Sequence, residues 1–143
     1  MRIVVNGCFD LFHKGHEYIL SKALEWAGEG GAIKVLLNSD YSIRWLKGPD
    51  RPINKYEIRE ATIQAFIKQW CLDRMCYPQW KVVLFDVEEQ LSIRINEFKP
   101  DMILKGNDRF DIREIVGSDK WPVCILPRLP GYSTTEIVNG RTN

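Results

Sequence analysis

Histidine is scarce in this sequence: two in 143 residues, His13 and His16. No apolar run approaches the ~20 residues that a membrane-spanning helix requires. The opening segment, residues 1–7, has neither the apolar core nor the cleavage site of a secretory leader. Surplus charge is also missing, since 20 Lys plus Arg face 19 Asp plus Glu and leave a formal charge of +1. Binding to nucleic acid or to membrane surfaces leans on excess positive charge, so neither is expected as a partner. A local cationic pocket for a small anion stays compatible with that balance. The four cysteines, Cys8, Cys71, Cys76 and Cys124, include no C-x-x-C pair, which argues against zinc and leaves no expected metal site. They read as reduced thiols of a cytoplasmic protein.

What is present is a composition of 45% hydrophobic and 27% charged residues, suited to a single domain over residues 1–143 with a real core. Short apolar runs alternate with amphipathic stretches. Strands are expected at 3–5, 32–38, 81–85, 102–105 and 123–126. A helix over 16–27 would turn Tyr18, Ile19, Ala23, Leu24 and Ala27 inward and stop at Gly28, Gly30 and Gly31. Further helices are expected over 39–46, 55–70 and 87–98, with a short one starting near Ser133. The two prolines of the 47–52 loop forbid regular structure there, and 70–80 reads as an irregular loop. This alternation predicts an α/β fold, a Rossmann-like doubly wound parallel sheet of five strands with helices on both faces. Ligands of such sheets lie beyond the carboxyl ends of the strands. The segments 6–16, 105–110 and 127–135 should therefore converge on one crevice.

The first of these segments enters a helix, where unpaired backbone N–H groups and the helix dipole suit phosphate. Gly15 permits close backbone approach, and His13, Lys14 and His16 around it supply donors to phosphate oxygens. Two histidines at a helix start can be mere surface residues, but here the chain's only two bracket a glycine after the first strand. In the last segment Ser133 and Glu136 have capping-box spacing. Three hydroxyls (Ser133, Thr134, Thr135) with Arg128 and Gly131 would make a second phosphate cradle. The loop cations Lys47 and Arg51, with Arg59 beyond them, mean little alone, since such groups are usually solvated. Lys105 to Asp108 suits a ribose or base contact as well as it suits a turn. The five tryptophans are scattered and read as packing residues.

These segments together resemble the cytidylyltransferase-like family of nucleotidyltransferases. GCFDLFHKGH, with its H-x-G-H tetrad at 13–16, matches the family's first signature, and GYSTTEI at 131–137 resembles its second. Residues 38–54 and 99–108 are similar to the adenylyltransferase half of ADP-heptose synthases, and Pro127-Arg128 resembles glycerol-3-phosphate cytidylyltransferases. The resemblance implies attack by a phosphate on the α-phosphorus of a nucleoside triphosphate, with pyrophosphate leaving. It implies triphosphate contacts by His13 and His16, with His16 on the α-phosphate. Lys47 and Arg128 would neutralise phosphate charge, and Ser133, Thr134 and Thr135 would hold the β/γ portion. Cys8 and Phe9 would offer backbone contacts, Lys14, Gly15 and Gly131 would complete the nucleotide cradle, and Asp108 would sit near the nucleoside. Lys47 and Arg59 are expected on the acceptor. Mg²⁺ would arrive with the triphosphate, since no carboxylate cluster marks a protein site. The leading expectation is adenylyl transfer from ATP to a sugar 1-phosphate, in a homodimer. Cytidylyl transfer from CTP to glycerol 3-phosphate and a non-catalytic nucleotide-binding module are the alternatives. Such synthases often carry a fused sugar kinase; 143 residues leave no room for one, so the acceptor is expected to be phosphorylated elsewhere.

Overall fold

Ile3, Val4 and Val5 are closed off from solvent because β1 (Arg2–Gly7) runs through the middle of the sheet with a neighbour on each side. In the computed structural model, which describes residues 1–106 and 111–127, β1 is followed by α1 (Lys14–Ala27), β2 (Ala32–Asn38), α2 (Asp40–Lys47) and α3 (Tyr56–Arg74). Then come β3 (Gln79–Phe85), α4 (Glu88–Phe98), β4 (Met102–Gly106), a 3-10 turn at Ile112–Glu114 and β5 (Val123–Leu126). All neighbouring strands are parallel, in the order β3-β2-β1-β4-β5. The order reverses between β1 and β4, where crossovers leave in opposite directions and a crevice opens at the strand ends. The expected Rossmann-like α/β sheet is therefore found.

Strand side chains alternate between two cores. Ile3, Val5, Ile33, Val35, Leu37 and Leu104 face one core with the buried sides of α1 and α3. Val4, Leu36 and Ile103 face the other with Leu91 and Ile95 of α4. Among the described residues no helix is long and apolar enough to cross a membrane.

Three details differ from the sequence expectations. Helix α1 starts at Lys14, two residues earlier than expected, because His13 caps it. Its buried face is Leu20, Ala23, Leu24 and Ala27, while Tyr18 and Ile19 are only partly covered. The stretch 70–80 is mostly regular, since α3 continues to Arg74 and β3 begins at Gln79. Trp70 holds the last turns of α3 in place, buried and covered by the Arg74 guanidinium at 4.7 Å. The helix stops where Met75 takes a left-handed conformation, φ 50°. The closing helix expected near Ser133 lies outside the described residues.

Candidate active site

The turn after β1 is the tightest part of the site. Phe9 and Leu11 both adopt positive φ, 50° and 53°, a conformation that non-glycine residues occupy only when their surroundings force it. The force is visible. Asp10, 1% exposed, accepts hydrogen bonds from Arg51 Nε (3.1 Å), Arg51 Nη2 (2.9 Å), the Ile53 N–H (2.8 Å) and the Asn54 N–H (2.9 Å). Burial alone would raise its carboxyl; the donated bonds from Asn54, Ile53 and Arg51 outweigh it and hold the group below its ordinary range. One carboxylate thus ties the signature turn to the loop that follows α2.

The two histidines form a reciprocal helix cap. The Gly15 N–H donates to His13 Nδ1 at 3.0 Å, and the His13 N–H donates to His16 Nδ1 at 3.2 Å. This is a capping box with imidazoles where Ser/Thr and Glu/Gln normally stand. The rings stack at 3.8 Å between centroids, 24° from parallel. Since each Nδ1 accepts a hydrogen bond, a neutral ring at either position carries its proton on Nε2. His16 also packs against Phe9 and Phe12, at 5.0 and 5.6 Å. Burial, reinforced by the charges of His13 and Lys47, pushes its pKa down to about 3. His16 is therefore a neutral hydrogen-bond donor at physiological pH, with no proton charge of its own.

A cleft of about 960 Å³ opens in front of this turn, lined by Cys8, Phe9, His13, Gly15, His16, Lys47 and Lys105 among others. The Lys105 ammonium is anchored at the β4 end by donating to the Asn6 carbonyl at 3.4 Å. The cleft continues past the ends of β2 and β3, where Asp86, Glu88 and Glu114 line it together with Phe85, Leu91, Ile115 and Val116. Imidazoles come from the turn after β1 and ammonium groups from the ends of β4 and α2, whereas carboxylates come from the segment after β3 and from the 3-10 turn. The Cys8 thiol is raised by burial, which makes it a poor nucleophile.

Of the residues singled out in the sequence, His13, His16, Gly15, Cys8, Phe9 and Lys47 meet around this cleft. Two do not. Lys14 is exposed on the first turn of α1 and is not among the residues lining the cleft. Arg59 was expected on the acceptor, but its side chain is fully buried. Its guanidinium donates to the carbonyls of Asn54, Cys8 and Asn38 and to the Asp40 carboxylate, at 2.7–2.9 Å. These contacts make it a brace behind the cleft wall, pinning the ends of β1 and β2 to the start of α3. Asp108, Arg128, Gly131, Ser133, Thr134 and Thr135 lie outside the described residues. The Asp10–Arg51 clasp and the acidic wall of the cleft had no signal in the sequence, because both depend on segments brought together from far apart. Among the described residues no group of three or more His, Cys, Asp or Glu side chains is placed to hold a metal ion.

Comparison with known proteins places this geometry. The cytidylyltransferase-like family profile matches residues 4–140. The bifunctional protein HldE of Gluconobacter oxydans is 38% identical over 143 residues, covering 96% of this chain and 27% of that protein. HldE of Campylobacter concisus is 37% identical over 137 residues, covering 95% and 26%. The chain thus spans about a quarter of the length of these relatives. Among solved structures, a lipopolysaccharide core biosynthesis protein of Thermoplasma volcanium superposes with a TM-score of 0.61 at 23% identity, covering 90% of this chain and 96% of that one. An AMP-bound universal stress protein family member of Arabidopsis thaliana gives 0.57 at 11% identity, covering 91% and 93%. Those two likenesses are of fold. With the profile spanning nearly the whole sequence, the chain belongs to the cytidylyltransferase-like family of nucleotidyltransferases.

Proposed function

We propose that this protein transfers the adenylyl group of ATP to a sugar 1-phosphate, releasing pyrophosphate. The observation that carries the reading is the division of the cleft, with imidazoles and ammonium groups at the β1/β4 end and carboxylates at the β3 end. Phosphates suit the first, and a hydroxyl-rich, uncharged sugar ring suits the second, where carboxylates accept from hydroxyls. The similarity of residues 38–54 and 99–108 to the adenylyltransferase half of ADP-heptose synthases supports a sugar phosphate as the acceptor.

An acceptor phosphomonoester is already ionised near neutral pH, so the reaction needs no strong base. Rate enhancement then comes from alignment for in-line attack and from charge stabilisation in the transition state. His16, neutral and carrying its proton on Nε2, donates to the α-phosphate oxygens as charge builds there. His13, stacked on it, holds the adjoining phosphates, and Lys47 neutralises the incoming phosphate. Arg128, Ser133, Thr134 and Thr135 hold the β and γ phosphates, Gly131 allows their close approach, and Asp108 meets the nucleoside. Mg²⁺ bound with the triphosphate would supply further charge neutralisation, held by the phosphates, since no described group of side chains is placed to hold it. The active species is a homodimer.

Pyrophosphate release is measured for ATP and CTP, each paired with heptose 1-phosphate and with glycerol 3-phosphate. Release with ATP and the heptose phosphate alone supports the proposal. Release with CTP and glycerol 3-phosphate alone replaces it with cytidylyl transfer to a polyol phosphate. Nucleotide binding without release in any pairing speaks against catalysis on either acceptor.

A further inference from the structure

The end of α3 carries two cysteines in a geometry that side-chain chemistry can use. The Met75 N–H donates to the Leu72 carbonyl at 3.4 Å, and the Cys76 N–H donates to the Cys71 carbonyl at 3.2 Å. With Met75 left-handed, these two bonds make a complete Schellman motif. In that motif the side chains at the third-last helical position and at the second position beyond the cap are frequently in contact. The contact is usually between two apolar residues. Here the positions are Cys71 and Cys76, and both thiols pack against the same core.

We propose that Cys71 and Cys76 are a reversible dithiol, closing to an intramolecular disulfide by exchange with small-molecule disulfides such as oxidised glutathione. The 3.2 Å bond from the Cys76 N–H to the Cys71 carbonyl holds the two backbones close, as a disulfide requires, since its Cα atoms lie about 4.4–6.8 Å apart. The two thiols differ in access. Cys71 is 4% exposed while Cys76 is half-buried, so Cys76 reacts first. Its thiolate attacks the small disulfide, whose S–S bond breaks and whose one half leaves as a thiol after taking a proton from water. Cys71 then loses its proton to water and attacks Cys76 Sγ, expelling the second thiol. The protein gives up two electrons, and the small disulfide becomes two thiols. Burial, with Cys76 and the Glu29 carboxylate nearby, raises the Cys71 thiol, which fits the second, intramolecular role. Glu29 accepts from the Tyr77 N–H at 3.3 Å and fixes the chain beyond the pair. The site lies by the first residue of β3, about 20 Å along the strand from the cleft, so oxidation fastens the α3 end without touching the nucleotide. The inference does not depend on the reaction proposed above.

The full chain is equilibrated with oxidised and reduced glutathione, blocked with a maleimide and digested with trypsin. Cleavage after Lys68, Arg74 and Lys81 separates residues 69–74 from 75–81, so a Cys71–Cys76 bond keeps two peptides joined. The expected result is one linked species that parts on reduction, with two of the four cysteines, Cys8 and Cys124, still blocked by maleimide. Oxidation should also raise the melting temperature and leave pyrophosphate release unchanged. Cys71→Ser should instead accumulate glutathione on Cys76. Separate peptides, each maleimide-blocked or each bearing its own glutathione, would overturn the proposal, as would a link to Cys8, to Cys124 or to a second chain.

Discussion

Arg51 reaches 41 residues back to place two guanidinium nitrogens on one oxygen of Asp10, at 3.1 and 2.9 Å. The other oxygen receives the Asn54 N–H. The loop that follows Lys47 at the end of α2 and the turn that leads into the histidines are therefore held as one body. Removing the carboxylate leaves a largely covered guanidinium, 15% exposed, and two backbone N–H groups without their acceptor. Asp10→Ala should cost roughly 3–5 kcal/mol, read from urea unfolding, with Asp10→Asn intermediate. Unchanged stability in both variants would show that the clasp does not hold the turn.

Arg59→Lys should be nearly as damaging as Arg59→Ala. One ammonium cannot serve three carbonyls and a carboxylate spread around a planar group, and the loss is about 3–5 kcal/mol. Denaturation midpoints test this directly. If instead Arg59→Lys keeps full stability and only raises the acceptor KM, Arg59 contacts the substrate after all.

His16→Ala should lower kcat by about 10²–10³ while the triphosphate KM moves little, because the donor matters most when charge has built on the α-phosphate. A weakened KM at full turnover would assign His16 to ground-state binding.

The depressed pKa of His16 has a definite sign in the stability profile. Folded, it titrates at about 3, against an ordinary 6.5. Between those values the unfolded chain binds the extra proton, so stability is complete above pH 6.5 and declines as pH falls towards 3. Asp10, whose carboxyl is held below 3.8, adds a second loss at the acid end. Urea midpoints should fall from pH 6.5 downward, and His16→Asn should flatten the upper part of that slope. In the nucleotide-free protein the His16 ring signals should stay constant from pH 5 to 8 by NMR, an interval wholly above its pKa of about 3.

The sheet and its strand ends were legible because buried parallel strands are short apolar runs: Ile3, Val4 and Val5 announce β1, and Val35, Leu36 and Leu37 announce β2. The histidine turn was legible as the entry to a helix because the chain's two histidines flank a glycine just after β1. Boundaries were less so. His13 does not look like an N-cap until its ring is seen accepting the Gly15 N–H, and Met75, a helix former, ends α3 by turning left-handed. Arg59 shows the deeper limit. A cation near a phosphate loop reads as a ligand for phosphate, and only burial reveals that its donors are taken by backbone carbonyls.

The strand order gives the two halves of the cleft unequal rigidity. The histidine turn grows from β1, paired on both flanks, whereas Asp86 and Glu88 follow β3, which has β2 as its single partner. A strand paired on one side has fewer bonds to break than one paired on both, so local opening should free the β3 end at lower energy than the β1 end. If the proposed function holds, the half assigned to phosphate is a fixed anvil and the acidic half a pliable jaw. Sequence change around β3 would then retune which acceptor is gripped while the groups assigned to nucleotidyl transfer stay as they are.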